Sequence, residues 1–588
     1  MISFPNVLLL TVDALRADRT SLLGYSRPTT PNLERLAGDA IVCRKSFTLG
    51  TFTQTACVQI LTSSRPLSHG GYDFGARGRP KTIFDGFHDA GYHTTCLSTL
   101  HWVNRFFGYG DGVDDEYQLF GLITLPGVAL AMTRGSLGAF ERGEISTATM
   151  LESVGPVLTA FFHNAGEYCE LFLGHGAELA RDFPDSPLVN AGYDFGKIGR
   201  LLDVHQRDYV NDPVAYIRRH LLPVPVSSEW MRRWLPREWY YCRRPWKLAA
   251  EGMARGINKA ISLFDPALAR KRENRFKIYP DAAALAGKVV SLMAERDPSR
   301  PFFIWTHFMD THAPYVSGGG QRWYRETPDH LAALGYPRDL DPGLTFAGKP
   351  KDKRQESALS ALYDASIRFT DQEIGRVLQG LDNLGLRDDT LVVISGDHGE
   401  ELGEHGDFGH FFQFYDESSR VPTLYHRPGI GARSIYGFST IMDIAPTTAA
   451  LAGISRADGW EGADLSNPCR TPTDRVLMES FYAGNCLFDH RPLYFAVRTD
   501  DFLYIWREYL DPADKVNQKP RELFDLRADP GQHNDIYRPD HPVVAGFNAV
   551  IAARMAELHE IPEPRIAASF GNEWRRTAVM QGVQRASC

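Results

Sequence analysis

Aspartate and histidine residues follow two apolar runs of this chain, and side chains of these types could bind a metal ion. The run NVLLLTV ends directly before Asp13, and the run TLVVISG ends directly before Asp397 and His398. Both runs are typical of buried parallel strands, whose carboxyl ends meet at one edge of a sheet. Carboxylate and imidazole groups that converge at such an edge lie where α/β enzymes build their sites.

A third apolar run, FFIWTHFMDTH, carries three further candidate ligands, His307, Asp310 and His312. Two of them also have a purely structural interpretation. His307 has apolar neighbours and is expected to lie inside the strand as a core histidine, and Asp310 could accept hydrogen bonds from loop amides.

The loop GEELGEHGDFGH after the second run adds His405 and His410 to the candidates. An Asp-His pair is a weak signal alone, but it is much stronger after an apolar strand and before a loop rich in glycine, histidine and acid. His405 could equally be a polar surface residue, and Asp13 could cap a turn. For Asp397 and His398 we favour the functional interpretation.

The elements that must position these residues alternate between short apolar runs and helical segments. TPNLERLA is predicted to be a helix with Thr30 as its N-cap and Pro31 at its first position. TIFDGFHDAGYHTTCLST is typical of a helix, a glycine stop and a strand, and ESALSALYDASIRFTDQEIGRVLQGLDNLG of a long helix. This alternation predicts an α/β fold whose parallel or mixed sheet is covered by helices on both faces.

The pattern of predicted secondary structure changes at two places along the chain. Residues 120–290 are mostly helical in pattern and include WMRRWLPREWYYCRRPWK, which holds four of the ten tryptophans. We interpret this insertion as an aromatic helical hairpin packed on the core; a lid that contacts an anionic, glycan-like or membrane surface is the alternative. Short β-rich runs and a final helix predict a small antiparallel sheet near the C-terminus. We therefore predict a catalytic domain over residues 1–455 and an α+β subdomain over residues 456–588.

Composition excludes several classes of protein. The 588 residues carry a net charge of −8, which argues against a protein that coats nucleic acid. Eight scattered cysteines without a CxxC pair do not form a disulfide framework or a zinc-ribbon spacing, and they are typical of reduced thiols in a cytoplasm.

The N-terminal run lacks the basic region and cleavage site of a signal peptide, and we see no transmembrane segment. We expect a soluble cytoplasmic protein.

Several motifs resemble the sulfatase family of the alkaline phosphatase superfamily. They are NVLLLTVDALRAD, GYSRPTTPNLERLA, ISGDHGEELGEHGDFGH, YDESSRVPTLYHRPG, STIMDIAPTTAALAGI and ELFDLRADPGQHNDI, in the order of the family. The resemblance covers both ends of the chain but not the middle insertion. It implies an alkaline-phosphatase-like, mostly parallel mixed sheet flanked by helices, with the helical insertion and the small C-terminal antiparallel sheet as additions.

The family places its nucleophile at a helix N-terminus, in a Cys/Ser-x-Pro-x-Arg motif whose first residue becomes formylglycine. Aligning ILTS with the family's Leu-Leu-Thr-Gly puts Thr53 at the nucleophile position, Thr55 at the proline and Cys57 at the arginine. Formylglycine is therefore not expected. A threonine hydroxyl could serve instead, because metal coordination lowers its pKa and a helix N-terminus attracts an anionic ester.

The resemblance also implies a metal site of Asp13, Thr53, Asp397 and His398. The family's second aspartate is replaced by Ala14, so we favour zinc or manganese, with calcium or magnesium as alternatives.

Two histidines are implied to act on the ester. His312 matches a histidine near the ester oxygens, and His410 replaces a frequent lysine. Asp310 and His405 are candidates to bind a second metal or to contact the substrate.

These expectations describe a metal-dependent hydrolase that cleaves sulfate or phosphate esters through Thr53. The substrate would be an anionic ester, such as one derived from a glycan or a lipid. A phosphoethanolamine-type transferase is an alternative, although such transferases usually carry transmembrane helices. A non-catalytic binding protein is another, because the Cys-x-Pro-x-Arg motif is not preserved; the retained metal-ligand set argues against it.

Overall fold

The structure, a computed structural model, describes residues 4–72, 75–121, 124–183, 193–222, 245–264, 279–313, 315, 352–410, 413–471, 473–481, 493–508 and 519–560. Within these ranges one large sheet and one small sheet account for nearly all strands. The large sheet carries the strand ends that the sequence singled out.

The large sheet has the spatial order β10-β2-β9-β6-β1-β5-β3-β4. Its strands and the two-stranded hairpin β7–β8 are β1 (Asn6–Val12), β2 (Ala40–Phe47), β3 (His93–Ser98), β4 (Asp115–Gln118), β5 (Phe302–Phe308), β6 (Thr390–Gly396), β7 (Glu401–Leu402), β8 (Phe408–Gly409), β9 (Arg420–His426) and β10 (Arg433–Thr440). Strand β9 runs antiparallel to β2 and β6, and the other pairs are parallel. The predicted mixed, mostly parallel sheet is confirmed.

Strand β1 lies at the centre, between β5 and β6. Val12 at its end pairs with Phe308 of β5 and with Gly396 of β6. All three strands are almost entirely buried, which explains their uninterrupted apolar sequences. The shared register brings the residues that follow them to one edge of the sheet.

Helices cover this sheet and form the predicted insertion. They are α1 (Pro31–Ala37), α2 (Thr53–Thr62), α3 (Ile83–Asp89), α4 (Thr124–Glu141), α5 (Thr147–Asp182), α6 (Phe195–Asn211), α7 (Pro213–His220), α8 (Pro245–Phe264), α9 (Ala282–Glu295), α10 (Lys353–Asn383), α11 (Asp416–Ser419) and α12 (Ile444–Ala452). Helices α4 to α8 lie within residues 120–290, so the insertion is helical where it is described. The tryptophan-rich stretch spans residues 230–247, and all but its last three residues lie outside the described ranges, so its predicted role stays a prediction.

The second sheet is antiparallel and has the order β11-β12-β13-β14. Its strands are β11 (Arg475–Phe481), β12 (Leu493–Thr499), β13 (Phe502–Arg507) and β14 (Arg521–Asp525), and helix α13 (Val544–Glu560) follows them. Phe547 and Ile551 of this helix share a buried cluster with Phe495 of β12. The predicted small antiparallel sheet is confirmed, and the boundary at residue 455 stays a prediction.

Within the described ranges, none of the helices combines the length and apolarity that a bilayer crossing requires.

Candidate active site

Asp13 and Asp397 follow the ends of the paired strands β1 and β6, and both side chains are fully buried. Asp397 Oδ1 accepts hydrogen bonds from the backbone N–H of Ala14, at 2.9 Å, and of His398, at 2.7 Å. Asp397 Oδ2 and Asp13 Oδ1 are buried without a hydrogen-bond partner. Two carboxylates therefore point unsatisfied oxygens into one interior site.

The electrostatics of this pair are those of a cation site. Burial raises the pKa of Asp397, and the neighbouring Asp13 carboxylate raises it further. Burial alone would also raise the pKa of Asp13, but the charge of His312 holds it low. Two adjacent buried carboxylates cannot both ionise without a compensating charge, which a proton or a bound cation supplies.

Thr53 is the first residue of helix α2, and its side chain is half-buried. Its Oγ1 lies 3.2 Å from Asp13 Oδ2 and 3.1 Å from Nε2 of His398. The hydroxyl thus lies at a helix N-terminus, which favours anions, and beside the two carboxylates.

His398 is fully buried and presents a free nitrogen to the same site. Its Nδ1 donates to the carbonyl oxygen of Gly399 at 2.8 Å, because a carbonyl can only accept. Nε2 is then the unprotonated nitrogen, 3.4 Å from Asp397 Oδ2. Burial, and next the charge of His410, lower the pKa of His398, so the neutral form that binds metals is favoured.

His307 belongs to the same cluster. It lies within β5, buried as expected, but its Nε2 is 3.1 Å from Asp13 Oδ2 and 3.9 Å from Asp397 Oδ2. The ligand atoms of Asp13, His307 and Asp397 all lie within 4.8 Å of one another, a spacing that could hold a metal ion.

Two further histidines border the site. The His410 ring lies 4.2 Å from the His398 ring and 5.0 Å from the His312 ring, between centroids. His312 Nδ1 donates to the carbonyl oxygen of Ala313 at 2.6 Å, which leaves Nε2 for other partners. Burial lowers the pKa of His410 to about 3, and the charge of His312 lowers it as well.

Glu400 supports His410. Its Oε1 lies 3.2 Å from His410 Nδ1, and the carboxyl group is fully buried. Burial raises the pKa of Glu400 to about 8, against the charge of His312, which lowers it. Glu400 was not among the site residues predicted from the sequence, although its place at the end of the DHGE motif was a usable signal.

Asp310 and His405, the candidates for a second metal, have other contacts. Asp310 Oδ2 accepts the backbone N–H of Ala282 at 2.6 Å, at the start of α9, which agrees with its alternative interpretation as an acceptor for amides. His405 Nε2 lies 3.4 Å from Glu417 Oε2, and its ring stacks on Tyr415 with centroids 3.6 Å apart.

The site therefore unites a helix-terminal hydroxyl with a buried Asp/His/Asp cluster at the carboxyl edge of a mostly parallel sheet. A model of the sulfatase family matches residues 5–127 and 230–454, which is more than half of the chain. The chain belongs to the sulfatase family. The resemblance inferred from the motifs is thereby confirmed, and so is the alkaline-phosphatase-like fold.

Curated sulfatases are similar to this chain in sequence. An arylsulfatase of Clostridium perfringens is 22% identical over 549 residues, which cover 89% of this chain and 90% of that protein. An ulvan-active sulfatase of Formosa agariphila is 30% identical over 274 residues, 44% of this chain and 48% of that protein. A choline-sulfatase of Rhizobium meliloti is 30% identical over 276 residues, 44% of this chain and 51% of that protein. The chain thus spans about half the length of the last two sulfatases.

Solved structures share the fold. The phosphonate monoester hydrolase of Agrobacterium radiobacter superimposes with a TM-score of 0.54 at 18% identity, covering 94% of this chain and 95% of that one. A protein in complex with its substrate D-glucosamine-2-N,6-O-disulfate gives a TM-score of 0.53 at 15% identity, covering 96% of this chain and 99% of that one.

Proposed function

We propose that this sulfatase-family protein is a divalent-metal-dependent hydrolase of sulfate or phosphate esters, with Thr53 as its nucleophile. One observation carries the proposal. The Thr53 hydroxyl, at the N-terminus of α2, lies 3.1–3.2 Å from groups of Asp13 and His398 in a site with two unsatisfied carboxylate oxygens.

The residues fit a metal. The orphaned oxygens of Asp13 and Asp397, the free Nε2 of His398 and the Thr53 hydroxyl would hold the ion, and the missing second aspartate at Ala14 favours zinc or manganese over calcium. A bound divalent cation would supply Lewis-acid polarisation of the ester and lower the pKa of the hydroxyl.

The side chains of this chain account for the remaining steps. Thr53 Oγ1 passes its proton to Asp13 Oδ2, its hydrogen-bond acceptor at 3.2 Å, and attacks sulfur or phosphorus in line with the leaving alcohol. The N-terminus of α2 stabilises the charge on the ester oxygens. His312 protonates the departing alcohol from Nε2, because the low pKa of His410 keeps that ring neutral. Neutral His410 then binds the ester, and Glu400 fixes its orientation through Nδ1. In the second step water attacks the sulfur or phosphorus atom and gives a proton to His312 Nε2. The bond to Thr53 Oγ1 breaks, Oγ1 takes its proton back from Asp13, and sulfate or phosphate leaves.

The choice between the two ester classes rests on opposing arguments. Curated relatives named as ulvan-active, aryl- and choline-sulfatases favour a sulfate ester. An ester on threonine cannot be released by collapse of a formylglycine hemiacetal. Water must instead attack the sulfur or phosphorus atom directly, and this direct attack favours a phosphate ester. A cytoplasmic location and a glycan- or lipid-derived alcohol remain part of the proposal.

The test compares hydrolysis of p-nitrophenyl sulfate, a phosphate monoester and a phosphate diester by zinc- or manganese-loaded protein. Thr53→Ala should lower kcat by a factor of at least about 10³, as expected for a lost nucleophile. Thr62→Ala, at the other end of the same helix, and Cys57→Ala are the controls and should keep kcat within a few-fold. Activity that does not depend on Thr53 would overturn the assignment, and the preferred ester would define the substrate class.

A further inference from the structure

We propose that His307 ligates the metal directly, as a second imidazole beside His398. The inference rests on the metal centre of the proposed function and adds a nitrogen ligand to it. It comes from the hydrogen bonds of the His307 ring, which determine the nitrogen that carries the proton.

The ring of His307 is anchored by Thr11 on the neighbouring strand. These two residues are register partners in the parallel pair β1–β5, and Nδ1 of His307 lies 2.8 Å from Thr11 Oγ1. The same hydroxyl accepts a hydrogen bond from the indole N–H of Trp305 at 3.1 Å, because an indole nitrogen can only donate.

The threonine hydroxyl has a single proton, and a backbone carbonyl oxygen lies within hydrogen-bond distance to receive it. Thr11 Oγ1 lies 3.2 Å from the carbonyl oxygen of Thr306, which can only accept. With its proton donated there, the hydroxyl must accept from His307. Nδ1 of His307 is then the protonated nitrogen, and Nε2 carries the lone pair. The Thr11 hydroxyl, the Trp305 indole N–H and His307 Nδ1 are all paired in that arrangement.

The lone pair of His307 Nε2 consequently faces carboxylate oxygens. It lies 3.1 Å from Asp13 Oδ2 and 3.9 Å from Asp397 Oδ2, in a fully buried site. Acceptors so close together repel each other unless a cation lies among them. A metal-ligating histidine usually donates its other ring N–H to a neighbouring acceptor, which is the role that Thr11 Oγ1 has here.

The spacing of the donor atoms agrees with a shared ion. His398 Nε2 lies 3.4 Å from Asp397 Oδ2 and 3.1 Å from Thr53 Oγ1. Donors about 2.0–2.1 Å from a common ion lie roughly 3–3.5 Å apart. Asp397 Oδ2 has this distance to His398 Nε2, at 3.4 Å, and its contact with His307 Nε2, at 3.9 Å, must shorten for both to bind one ion. Two nitrogens in the ligand set would strengthen the preference for zinc over calcium or magnesium.

The opposite tautomer gives a different role. If the Thr11 hydroxyl donated to Nδ1, the Nε2–H of His307 would donate to Asp13 and only position that carboxylate. The two roles differ in the number of imidazoles bound to the ion.

X-ray absorption spectroscopy of the zinc-loaded, full-length protein counts imidazole ligands through their multiple-scattering signal. We expect two imidazoles in the wild type and one in His307→Gln. The zinc affinity of this variant should fall by more than about 100-fold, beyond the usual loss when a residue that only orients a metal ligand is changed. His410→Gln and His312→Gln should both retain two. His205→Gln is the matched control, because His205 is a buried histidine of the insertion that donates to or accepts from Tyr216.

The outcomes separate this inference from the proposed function. Zinc bound with one imidazole in the wild type would overturn the role of His307 and leave the metal centre intact. Two imidazoles that fall to one in His410→Gln or His312→Gln would also overturn it. Protein that binds no zinc or manganese would overturn the proposed function itself. The wild-type count with the His410 and His312 variants decides the question even if His307→Gln does not fold.

Discussion

At the scale of single residues, Thr53 and Cys57 lie one turn apart on α2 but in opposite environments. Thr53 reaches the acidic site, whereas the Cys57 side chain lies in the main apolar core. Burial, and next the charges of Asp397 and Asp13, raise the pKa of the Cys57 thiol well above its usual value. A buried thiol of this kind is chemically inert.

Iodoacetamide labelling of the native protein should therefore modify Cys469, which is exposed, and leave Cys57 unmodified. Peptide mass spectrometry would measure both sites, and labelling in denaturant is the control in which both should react. Cys57 alkylated under native conditions, or found as formylglycine, would refute the interpretation of this residue.

The sequence was informative about residues at strand ends. Asp13, Asp397 and His398 were predicted to converge because each follows an apolar run, and Thr53 was aligned through the ILTS motif; the structure brings these four together. His307 was named among the candidate ligands, but it was expected to lie inside its strand as a core histidine. Its contact with Asp13 depends on the pairing of β1 with β5, which are almost 300 residues apart in the chain, and no local pattern reveals that pairing.

At the scale of elements, the loop after β6 is held by backbone contacts. The N–H of Gly399 donates to the carbonyl oxygen of Ser418 at 2.8 Å, and the N–H of Glu400 donates to that of Glu417 at 3.0 Å. A Cβ at position 399 would overlap the carbonyl oxygen of Glu417. Glycine is required here by close backbone approach, directly beside His398.

Gly399→Ala should consequently destabilise the fold by about 1–3 kcal/mol, the usual cost of overpacking, and displace His398 with loss of metal affinity. Chemical denaturation and zinc titration would measure the two effects. Gly166→Ala in α5, where a Cβ meets no atom, is the control and should be neutral or stabilising by up to about 1 kcal/mol. Equal behaviour of the two variants would contradict the proposed contact.

Helix α1 illustrates what sequence patterns miss at this scale. Thr30 occupies the predicted N-cap position, but its side chain makes no capping bond and instead accepts from the N–H of Leu22. The first amides of the helix, at Asn32 and Leu33, donate to Asp371 of α10. A residue distant in sequence has replaced the local cap, so the helix was predictable and its capping partner was not.

At the scale of the whole molecule, a buried ion pair ties helix α13 to the small sheet and to the loop after α2. The Arg554 guanidinium donates to both carboxylate oxygens of Glu479, at 2.7 and 3.0 Å, and to Ser68 Oγ at 2.9 Å. Glu479 is fully buried. Burial alone would raise the pKa of Glu479, but Arg554 and Arg65 hold it below its usual value.

Arg554→Met should cost about 3–5 kcal/mol of unfolding free energy at pH 7, because it leaves a buried carboxylate unpaired. A carboxyl group whose pKa is lowered by folding stabilises above its unfolded pKa, and that contribution disappears as the pH falls. The difference between wild type and variant should therefore narrow below about pH 4. Urea denaturation of wild type and variant, at pH 7 and below pH 4, would measure this difference in unfolding free energy.

The control for this change is Lys81→Met. Lys81 forms an exposed pair with Asp89 at 2.7 Å, and loss of such a solvent-screened pair should change the unfolding free energy little. A cost for Arg554→Met as small as that of the control would show that the buried pair does not hold the C-terminal helix in place.

The central claim is that Thr53 forms a covalent ester during turnover. Metal-loaded protein would be mixed with its preferred p-nitrophenyl ester, quenched in acid within the first turnover, and digested for tandem mass spectrometry. We predict one sulfuryl or phosphoryl group on Thr53, absent from Thr53→Ala. A group found on another residue, or active protein that carries no adduct while releasing a burst of p-nitrophenol, would contradict the mechanism.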